Sequence, residues 1–241
     1  MVNKMDREYI IDTHTHTIAS GHAYNTILEM AKAASEKGIK ILGITDHSKA
    51  MPDASGDFYF MNLKAMDREA YGVELLLGVE LNIIDFNGKV DLPSRYIKEM
   101  DIVIASLHTP CIQPGTMEEN TNALIKCCEN PLIHIIGHPD DGSYELDMKR
   151  VVKAAKETGT ILELNNNSIV FRKNARENDK KMLELCKEEN VPIVIGSDAH
   201  AVGKVGENAN AMELVREVGF PQELILNYYP EKLKEYLAKN R

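Results

Sequence analysis

The sequence contains no tryptophan, and aromatic residues make up only 6% of the chain. Basic residues are also in the minority, because Lys plus Arg number 28 against 37 for Asp plus Glu, which gives a net charge of −9. Proteins that bind nucleic acid without sequence preference need a basic surface, and those that bind single strands add aromatic stacking platforms. Nucleic acid is therefore not an expected partner.

Long hydrophobic runs and paired cysteine motifs are absent as well. No apolar stretch approaches the ~18 residues of a membrane-spanning helix, so no membrane partner is expected. Residues 1–8 carry charges and lack the apolar core of a signal peptide. Because the four cysteines show no C-x-x-C spacing, we expect reduced thiols and a cytoplasmic protein. These cysteines are Cys111, Cys127, Cys128 and Cys186.

The length of 241 residues and a hydrophobic content of 44% predict one domain over residues 1–241. Seven short apolar runs alternate with helical stretches, and the runs are continuous rather than alternating with polar residues. Continuous runs are typical of parallel strands that are covered on both faces. The order of elements predicts an α/β fold, best accommodated by a TIM-like barrel one unit short of eight, with an open doubly wound sheet as the alternative.

The boundaries of these elements follow from the apolar runs and from the helix-ending glycines. Strands are predicted over residues 9–11, 39–45, 74–81, 101–107, 132–137, 160–164 and 192–196. Helices are predicted over residues 24–37, 61–71, 117–128, 147–158, 175–189, 208–218 and 230–240. An Asn-Gly pair within residues 85–89 predicts a small hairpin after the third strand.

Histidines follow the predicted strands with unusual regularity. A single histidine is more often a hydrogen-bonded core or surface residue, but the carboxyl ends of barrel strands converge on one face. Several neutral imidazoles at that face favour a site for zinc, manganese or iron. His134 lies inside a strand and is expected to be structural. The seven histidines that follow strands are His14, His16, His22, His47, His108, His138 and His200.

Two carboxylates complete the candidate ligand set. Glu80 ends the third strand in an apolar run, where a buried acid would be costly without a cation. Asp198 precedes His200 by two residues, so both side chains face the same side of an extended segment. At three or four protein ligands per ion, the nine candidates could hold two or three divalent ions.

The charge of such a centre indicates the substrate. Three divalent ions contribute +6 and the two carboxylates −2, and the remainder of about +4 suits hydroxide and a multiply charged anion such as a phosphate ester. Asn166, Ser168 and Arg172 follow the sixth strand and are candidates for substrate binding, although an Asn-rich turn and a surface arginine would look the same. Asp12 and Asp46 could accept hydrogen bonds from ligand imidazoles or be ordinary turn acids.

These motifs resemble those of the polymerase and histidinol phosphatase (PHP) superfamily. The segments that carry the resemblance are residues 12–16 (DTHTH), 45–47 (TDH), 78–80 (GVE), 106–108 (SLH), 137–139 (GHP) and 197–200 (SDAH). They span about four fifths of the chain. Residues 163–166 (ELNN), followed by Arg172, are most similar to the YcdX-like branch of phosphatases in that superfamily.

The resemblance implies a distorted (β/α)7 TIM-like barrel with three metal ions, of which zinc is the first expectation and manganese or iron the alternatives. It implies one ion on His14, His16, Glu80 and Asp198. A second would be held by His22, His47 and His200. The third would be held by His108 and His138, with Glu80 as a bridge.

Together these observations predict metal-dependent hydrolysis of small phosphate esters, most simply phosphomonoesters, by a hydroxide that bridges the three metals. Glu80 and Asp198 are the predicted catalytic residues. The alternatives are a phosphodiesterase or nuclease, an amidohydrolase-like enzyme acting on another substrate, and a metal-storage protein without activity. The sequence leaves the oligomeric state open, and the resemblance is compatible with a homo-oligomer.

Overall fold

The structure, a computed structural model, describes residues 8–239. Within this range the chain alternates strands and helices almost throughout. The strands are β1 (Ile11–Asp12), β2 (Ile41–Ile44), β3 (Glu69–Ala70), β4 (Val73–Leu77), β5 (Val79–Asn82), β6 (Val103–Ser106), β7 (Ile135–Ile136), β8 (Ile161–Asn165) and β9 (Ile193–Gly196). The α-helices are α1 (Ile27–Glu36), α2 (Asp57–Asn62), α3 (Ser94–Ile97), α4 (Met117–Cys128), α5 (Met148–Thr158), α6 (Ser168–Phe171), α7 (Ala175–Glu189), α8 (Ala209–Val218) and α9 (Pro230–Lys239).

The strands form two sheets, with the orders β1-β2-β4-β3 and β5-β6-β7-β8-β9. Every neighbouring pair is parallel except β3 with β4. The predicted α/β class with a parallel sheet is therefore confirmed. The sheet is not one continuous ladder, because the predicted strand over residues 74–81 is interrupted at Gly78 and contributes β4 to one sheet and β5 to the other.

Gly78 is required by close packing. A Cβ atom at this position would lie 2.1 Å from the carbonyl oxygen of Ile102 on the adjacent chain segment. Isolated bridges join the two sheets at the carboxyl ends of their strands, with Thr15 opposite Ala199 and His47 opposite Glu80. The segment that follows β1 therefore lies beside the segment that follows β9, and the segment that follows β2 lies beside β5.

The hydrophobic residues form two core clusters. The larger one lies between the strands and the helices and includes Leu42 and Val152. The smaller one collects isoleucines and other apolar residues from seven strands, together with Leu233 and Leu237 of α9. Burial on both faces explains why the strands read as continuous apolar runs, as the sequence predicted.

Local signals fix most helix ends. Thr26 and Glu29 form a capping box at the start of α1, and Thr116 and Glu119 form another at the start of α4. At the end of α5, Gly159 adopts a left-handed conformation with φ 78°. The predicted helices over residues 117–128 and 175–189 are confirmed as α4 and α7.

The predicted helix over residues 61–71 is wrong. α2 ends at Asn62, a short 3-10 turn follows, and β3 then pairs antiparallel with β4. Tyr71 and Gly72 form the two-residue turn of this hairpin, with φ values of 55° and 73°. Positive φ at both central residues matches the right-handed twist of the strands, and it is this turn that ends the helical pattern. The predicted hairpin over residues 85–89 is confirmed by the bridge between Ile83 and Val90.

The four cysteines are free. Burial raises the pKa of the Cys128 and Cys186 thiols to about 12. Cys111 is partly exposed, and the same effect raises its pKa to about 12. Within residues 8–239, no helix has both the length and the apolar character needed to cross a membrane.

Candidate metal centre

The strand ends bring potential ligand atoms together in three overlapping groups. Within each group, one nitrogen or carboxylate oxygen per residue lies within 4.8 Å of the others. The groups share His16 and His47, so they form one continuous cluster rather than three separate sites. The groups are His14, His16 and Asp198; His16, His47 and His200; and His47, Glu80 and His108.

Glu80 lies at the centre of this cluster. Its Oε2 is 2.7 Å from Nδ1 of His47, and its Oε1 is 2.9 Å from Nε2 of His138. Ser106 donates a hydrogen bond of 2.6 Å to Oε1. The carboxylate is fully buried, so imidazoles rather than water surround it.

Many ring nitrogens around Glu80 have no hydrogen-bond partner. Buried polar atoms are normally paired, because an unpaired one loses its hydration without compensation. Nitrogen and carboxylate oxygen atoms that are buried, close together and unpaired suit a divalent cation such as zinc. The residues present therefore fit a metal centre. The unpaired atoms include His14 Nε2, His16 Nε2 and His108 Nε2. His47 Nδ1 and Glu80 Oε2 are close to each other but do not have the geometry of a hydrogen bond.

Burial keeps several of these imidazoles neutral. It lowers the pKa of His16 well below the ordinary value, and the neighbouring His47 lowers it further. Burial likewise brings the pKa of His108 down to about 3. At neutral pH these two rings are uncharged, which is the form that binds metal ions.

The two carboxylates of the cluster are ionised. Burial raises the pKa of Glu80, but His47 and His14 outweigh burial and bring the pKa well below its ordinary value. For Asp198, burial is again outweighed, in this case by His14 and His16, and its pKa is lowered as well. Burial lowers the pKa of His14, but Glu163 and Glu80 outweigh burial and raise it well above its ordinary value. The centre thus presents two negative charges beside the neutral rings of His16 and His108, and both kinds of group bind divalent cations.

The second nitrogen of most rings is held by a hydrogen bond that fixes the ring orientation. His14 Nδ1 lies 2.7 Å from Oε1 of Glu163. His16 Nδ1 lies 3.0 Å from Oγ of Ser20. The remaining contacts of this kind are His108 Nδ1 with Asn82 Oδ1 at 2.8 Å and His200 Nδ1 with the Asp198 carbonyl oxygen at 3.0 Å.

Asp12 and Asp46 contact no imidazole within the described residues, so the interpretation of both as direct acceptors from ligand rings is wrong. Asp12 accepts hydrogen bonds from the backbone amides of Ser197 and Gly206 and joins the loops after β1 and β9. Asp46 accepts from Ser20 at 2.7 Å and therefore acts on His16 only through that hydroxyl.

The remaining histidines differ in exposure. His22 is exposed, and its ring stacks near those of His47 and His200 with centroid distances of 5.1 and 4.8 Å. It lies beside the cluster but outside the three groups. His134 accepts a hydrogen bond of 3.0 Å from the Val103 backbone amide, which agrees with its predicted structural role.

The three predicted substrate-binding residues have different surroundings. Oδ1 of Asn166 accepts hydrogen bonds from the amides of Asn210 and Ala211 and so caps α8. Ser168 is buried, and its Oγ has no partner. Arg172 is closest to the cluster, because its Nη2 lies 3.7 Å from Oδ2 of Asp198.

Sequence reasoning assigned no role to Glu163, Ser20, Asn82 or Ser106, although each contacts a candidate ligand. One of them carried a usable signal. Glu163 is an acid inside the apolar strand β8, which is the same feature that singled out Glu80. The contacts of Ser20 and Asn82 follow from the fold and have no such signal.

Two candidate ligands occupy unusual backbone conformations. His138 has a φ of 29° and Asp198 a φ of 53°, a region that residues other than glycine rarely adopt. Such conformations cost about 1–3 kcal/mol and occur preferentially at functional sites. The Asp198 amide donates a hydrogen bond of 2.9 Å to the carbonyl oxygen of His14, which ties one strained residue to another part of the cluster.

Comparison with known proteins identifies the family to which the chain belongs. The PHP domain matches residues 12–216, a range that contains every residue of the cluster. The chain belongs to the PHP domain family. Family members with curated descriptions include a "Probable phosphatase" of Clostridium botulinum (strain Langeland), which is 49% identical over 97% of this chain and 96% of its own length. A "Probable phosphatase" of Acetivibrio thermocellus is 46% identical over 97% of both chains.

The fold of the family is also found among solved structures. The crystal structure of histidinol phosphate phosphatase from Lactococcus lactis, in complex with zinc, L-histidinol and phosphate, superimposes with a TM-score of 0.60. The match covers 88% of this chain and 95% of the other, at 18% sequence identity. A likeness at this identity establishes the shared fold.

Proposed function

We propose that this protein is a phosphatase, a metal-dependent hydrolase of phosphate esters that acts on small phosphomonoesters. The observation that carries the proposal is the convergence of buried, unpaired imidazole nitrogens on the carboxylate of Glu80. The curated PHP relatives are described as phosphatases, and the Lactococcus lactis structure holds zinc and phosphate, which supports the reaction class.

We propose that the centre holds three divalent ions, with zinc as the first candidate. His14, His16, Glu80 and Asp198 would hold one ion. His22, His47 and His200 would hold a second, and His108 and His138 the third, with Glu80 shared. The overlap of the three groups through His16 and His47 supports closely spaced sites.

When bound, such ions would polarise the phosphate oxygens and lower the pKa of coordinated water. The protein supplies the remaining functions. Arg172 offers its guanidinium beside Asp198, where it could bind a phosphate oxygen in the bidentate manner typical of arginine. Asp198, which is ionised, would accept a proton and return it, and Asn165 Nδ2 lies 3.3 Å from its Oδ2. Asn166 and Ser168 remain predicted substrate-binding residues next to this arginine.

The test is phosphate release from a panel of phosphomonoesters and phosphodiesters, with protein reconstituted separately with zinc, manganese and iron. We expect release from monoesters that disappears with a chelator and returns when the metal is restored. Cleavage of diesters alone would favour the phosphodiesterase or nuclease alternative. If no ester releases phosphate although metal is still bound, the proposed substrate class is contradicted.

Three further features belong to this proposal. The bridges between Thr15 and Ala199 and between His47 and Glu80 support closure of the two sheets into a distorted (β/α)7 barrel.

We propose that the phosphatase domain extends over residues 1–241, because α9 packs into the smaller core cluster. The free cysteines support the predicted cytoplasmic location.

A further inference from the structure

A second buried glutamate, Glu163 of β8, lies directly beneath the cluster. Both Glu163 and His14 are fully buried, and Glu163 Oε1 is 2.7 Å from His14 Nδ1. Its other oxygen accepts a hydrogen bond of 2.9 Å from the His138 backbone amide and one of 3.2 Å from Asn165 Nδ2. Every polar contact of this carboxylate is therefore with a group that can donate a hydrogen bond.

These contacts reach candidate ligands that follow three different strands. His14 follows β1 and His138 follows β7, and Glu163 binds both directly. Asp198 follows β9 and is reached through Asn165, whose Nδ2 also lies 3.3 Å from Asp198 Oδ2. Two of the three, His138 and Asp198, have left-handed backbone conformations, which persist only when surrounding contacts hold them.

The packing around the carboxylate leaves room for nothing else. A Cβ atom at position 196 would lie 2.0 Å from Glu163 Oε1 and 2.9 Å from the Cβ atom of His14. Gly196 therefore provides the space in which the carboxylate meets the imidazole. This fit is what a specific contact requires, because interiors are close-packed.

We propose that Glu163 is a positioning residue of the metal centre, which keeps the hydrogen of His14 on Nδ1 and so presents Nε2 to an ion. A carboxylate accepts hydrogen bonds and does not donate them, so the ring nitrogen that faces it must carry the hydrogen. The free Nε2 then points toward Glu80, at 3.4 Å from Oε2. Through His138 and Asn165, the same carboxylate holds two further ligands in place. This inference rests on the proposed metal centre and adds a residue that no candidate ligand set contained.

The decisive variant is Glu163→Gln, which has the same shape but only one acceptor. If the amide NH2 faces His14, it forces the hydrogen onto Nε2 and blocks that nitrogen. If the NH2 faces His138 instead, two donors oppose each other at the backbone amide. Either orientation weakens the centre, so we expect zinc affinity, measured in competition with a chromophoric chelator, to fall about 10–100-fold.

Two controls make the measurement specific. Glu129→Gln, at an exposed residue paired with Lys126, should bind zinc as the wild type does. Glu163→Asp retains the charge on a shorter side chain and should recover part of the affinity. Far-UV circular dichroism would verify that each variant is folded. Equal zinc affinity in folded Glu163→Gln and wild-type protein would overturn the proposal.

A measurement on the unchanged protein covers the case in which Glu163→Gln does not fold. In 15N-labelled, zinc-loaded wild-type protein, the imidazole spectrum of His14 should show hydrogen on Nδ1 and none on Nε2. A His14 ring without hydrogen on Nδ1 contradicts the inference.

The outcomes separate this inference from the proposed phosphatase activity. If zinc binding depends on Glu163 but the wild type hydrolyses no ester, the positioning role stands and the proposed activity falls. If the wild type hydrolyses esters and Glu163→Gln binds zinc with unchanged affinity, the activity stands and the positioning role falls. A wild-type protein that binds none of zinc, manganese and iron overturns both.

Discussion

At the scale of single residues, Glu80 concentrates the electrostatics of the site. Among the carboxylates of residues 8–239, it is the one whose two oxygens face imidazoles on several strands. Burial raises its pKa, but His47 and His14 outweigh burial and hold the pKa well below the ordinary value. Removing its charge would leave Asp198 as the remaining ionised carboxylate of the cluster to balance its cations. A substitution at Glu80 therefore tests the charge of the cluster, whereas a substitution at one histidine tests a single ligand.

We expect Glu80→Gln to lose most of its bound metal and its phosphatase activity. The side chain keeps its volume, so the loss would reflect charge rather than packing. Metal content by elemental analysis, together with phosphate release, would measure it. The exposed Glu129→Gln serves as the control, and full activity of Glu80→Gln with an emptied centre would contradict the metal-dependent mechanism.

Asn82 carries a second prediction at this scale, because its Oδ1 lies 2.8 Å from His108 Nδ1 and fixes that ring. Asn82→Ala should lower the zinc affinity or the phosphatase activity about tenfold. This is the lower end of the effect expected for a residue that orients a metal ligand. Zinc titration of the folded variant would test this. Unchanged affinity would mean that packing alone orients His108.

At the scale of elements, the association of β1 with β9 depends on a polar residue outside both strands. The buried side chain of Asn227 donates hydrogen bonds of 2.8 Å to the carbonyl oxygens of Ile11 and Ile195, and it accepts one of 2.7 Å from the Ile195 amide. β1 and β9 belong to different sheets, so this side chain joins the two sheets.

Asn227→Ala should lower the free energy of unfolding by about 3 kcal/mol, because it removes three hydrogen bonds to buried backbone groups. Of these groups, the Ile195 carbonyl oxygen keeps the hydrogen bond from the Tyr9 hydroxyl. Urea unfolding monitored by circular dichroism would measure the change. Asn62→Ala, at an exposed residue at the end of α2, should change stability by less than about 0.5 kcal/mol. A similar small effect at Asn227 would show that the sheets associate without it.

Helix α1 offers a prediction about local capping. Thr26→Ala removes the side chain that accepts the hydrogen bond from the Glu29 amide, and it should cost about 1 kcal/mol of stability. Thr26→Ser should retain most of that stabilisation. Because α1 begins outside the cluster, zinc affinity should be the same in both variants, and a large loss of zinc in Thr26→Ala would contradict this independence.

At the scale of the whole molecule, metal binding and folding stability should be linked. The cluster joins β5 to the segments that follow β1, β2, β6, β7 and β9, so bound ions would connect parts of the chain that belong to both sheets. Ligand binding to the folded state alone stabilises it by about 4 kcal/mol at a free concentration 1,000 times Kd. Three divalent ions would also bring the formal charge from −9 to −3.

We therefore expect chelation to lower the melting temperature by roughly 10 °C, given the few degrees per kcal/mol of a chain this size. Scanning calorimetry of the zinc-loaded and chelated protein would measure the shift. Restoring zinc should restore the melting temperature, whereas magnesium, which prefers oxygen ligands, should not. An unchanged melting temperature on complete removal of zinc would argue against a centre that joins the strands.

The sequence by itself determined the elements and the residue types at the strand ends. Apolar runs, capping residues and helix-ending glycines are local signals, so α4 and α7 could be predicted to the residue. The histidines, Glu80 and Asp198 were identifiable because parallel strands end at one face whatever their order. The hairpin at Tyr71 was missed because its turn depends on positive φ at a residue that does not usually adopt it.

Only the tertiary structure decided which partner each of these side chains has. His14 and Glu163 are 149 residues apart, and they meet because β1, β8 and β9 end near one another. The same holds for Asn166, whose oxygen caps α8, and for Asp12, whose carboxylate joins two loops and contacts no imidazole within the described residues. Such contacts depend on strand adjacency and side-chain direction, which are properties of the folded chain and have no local signature in the sequence.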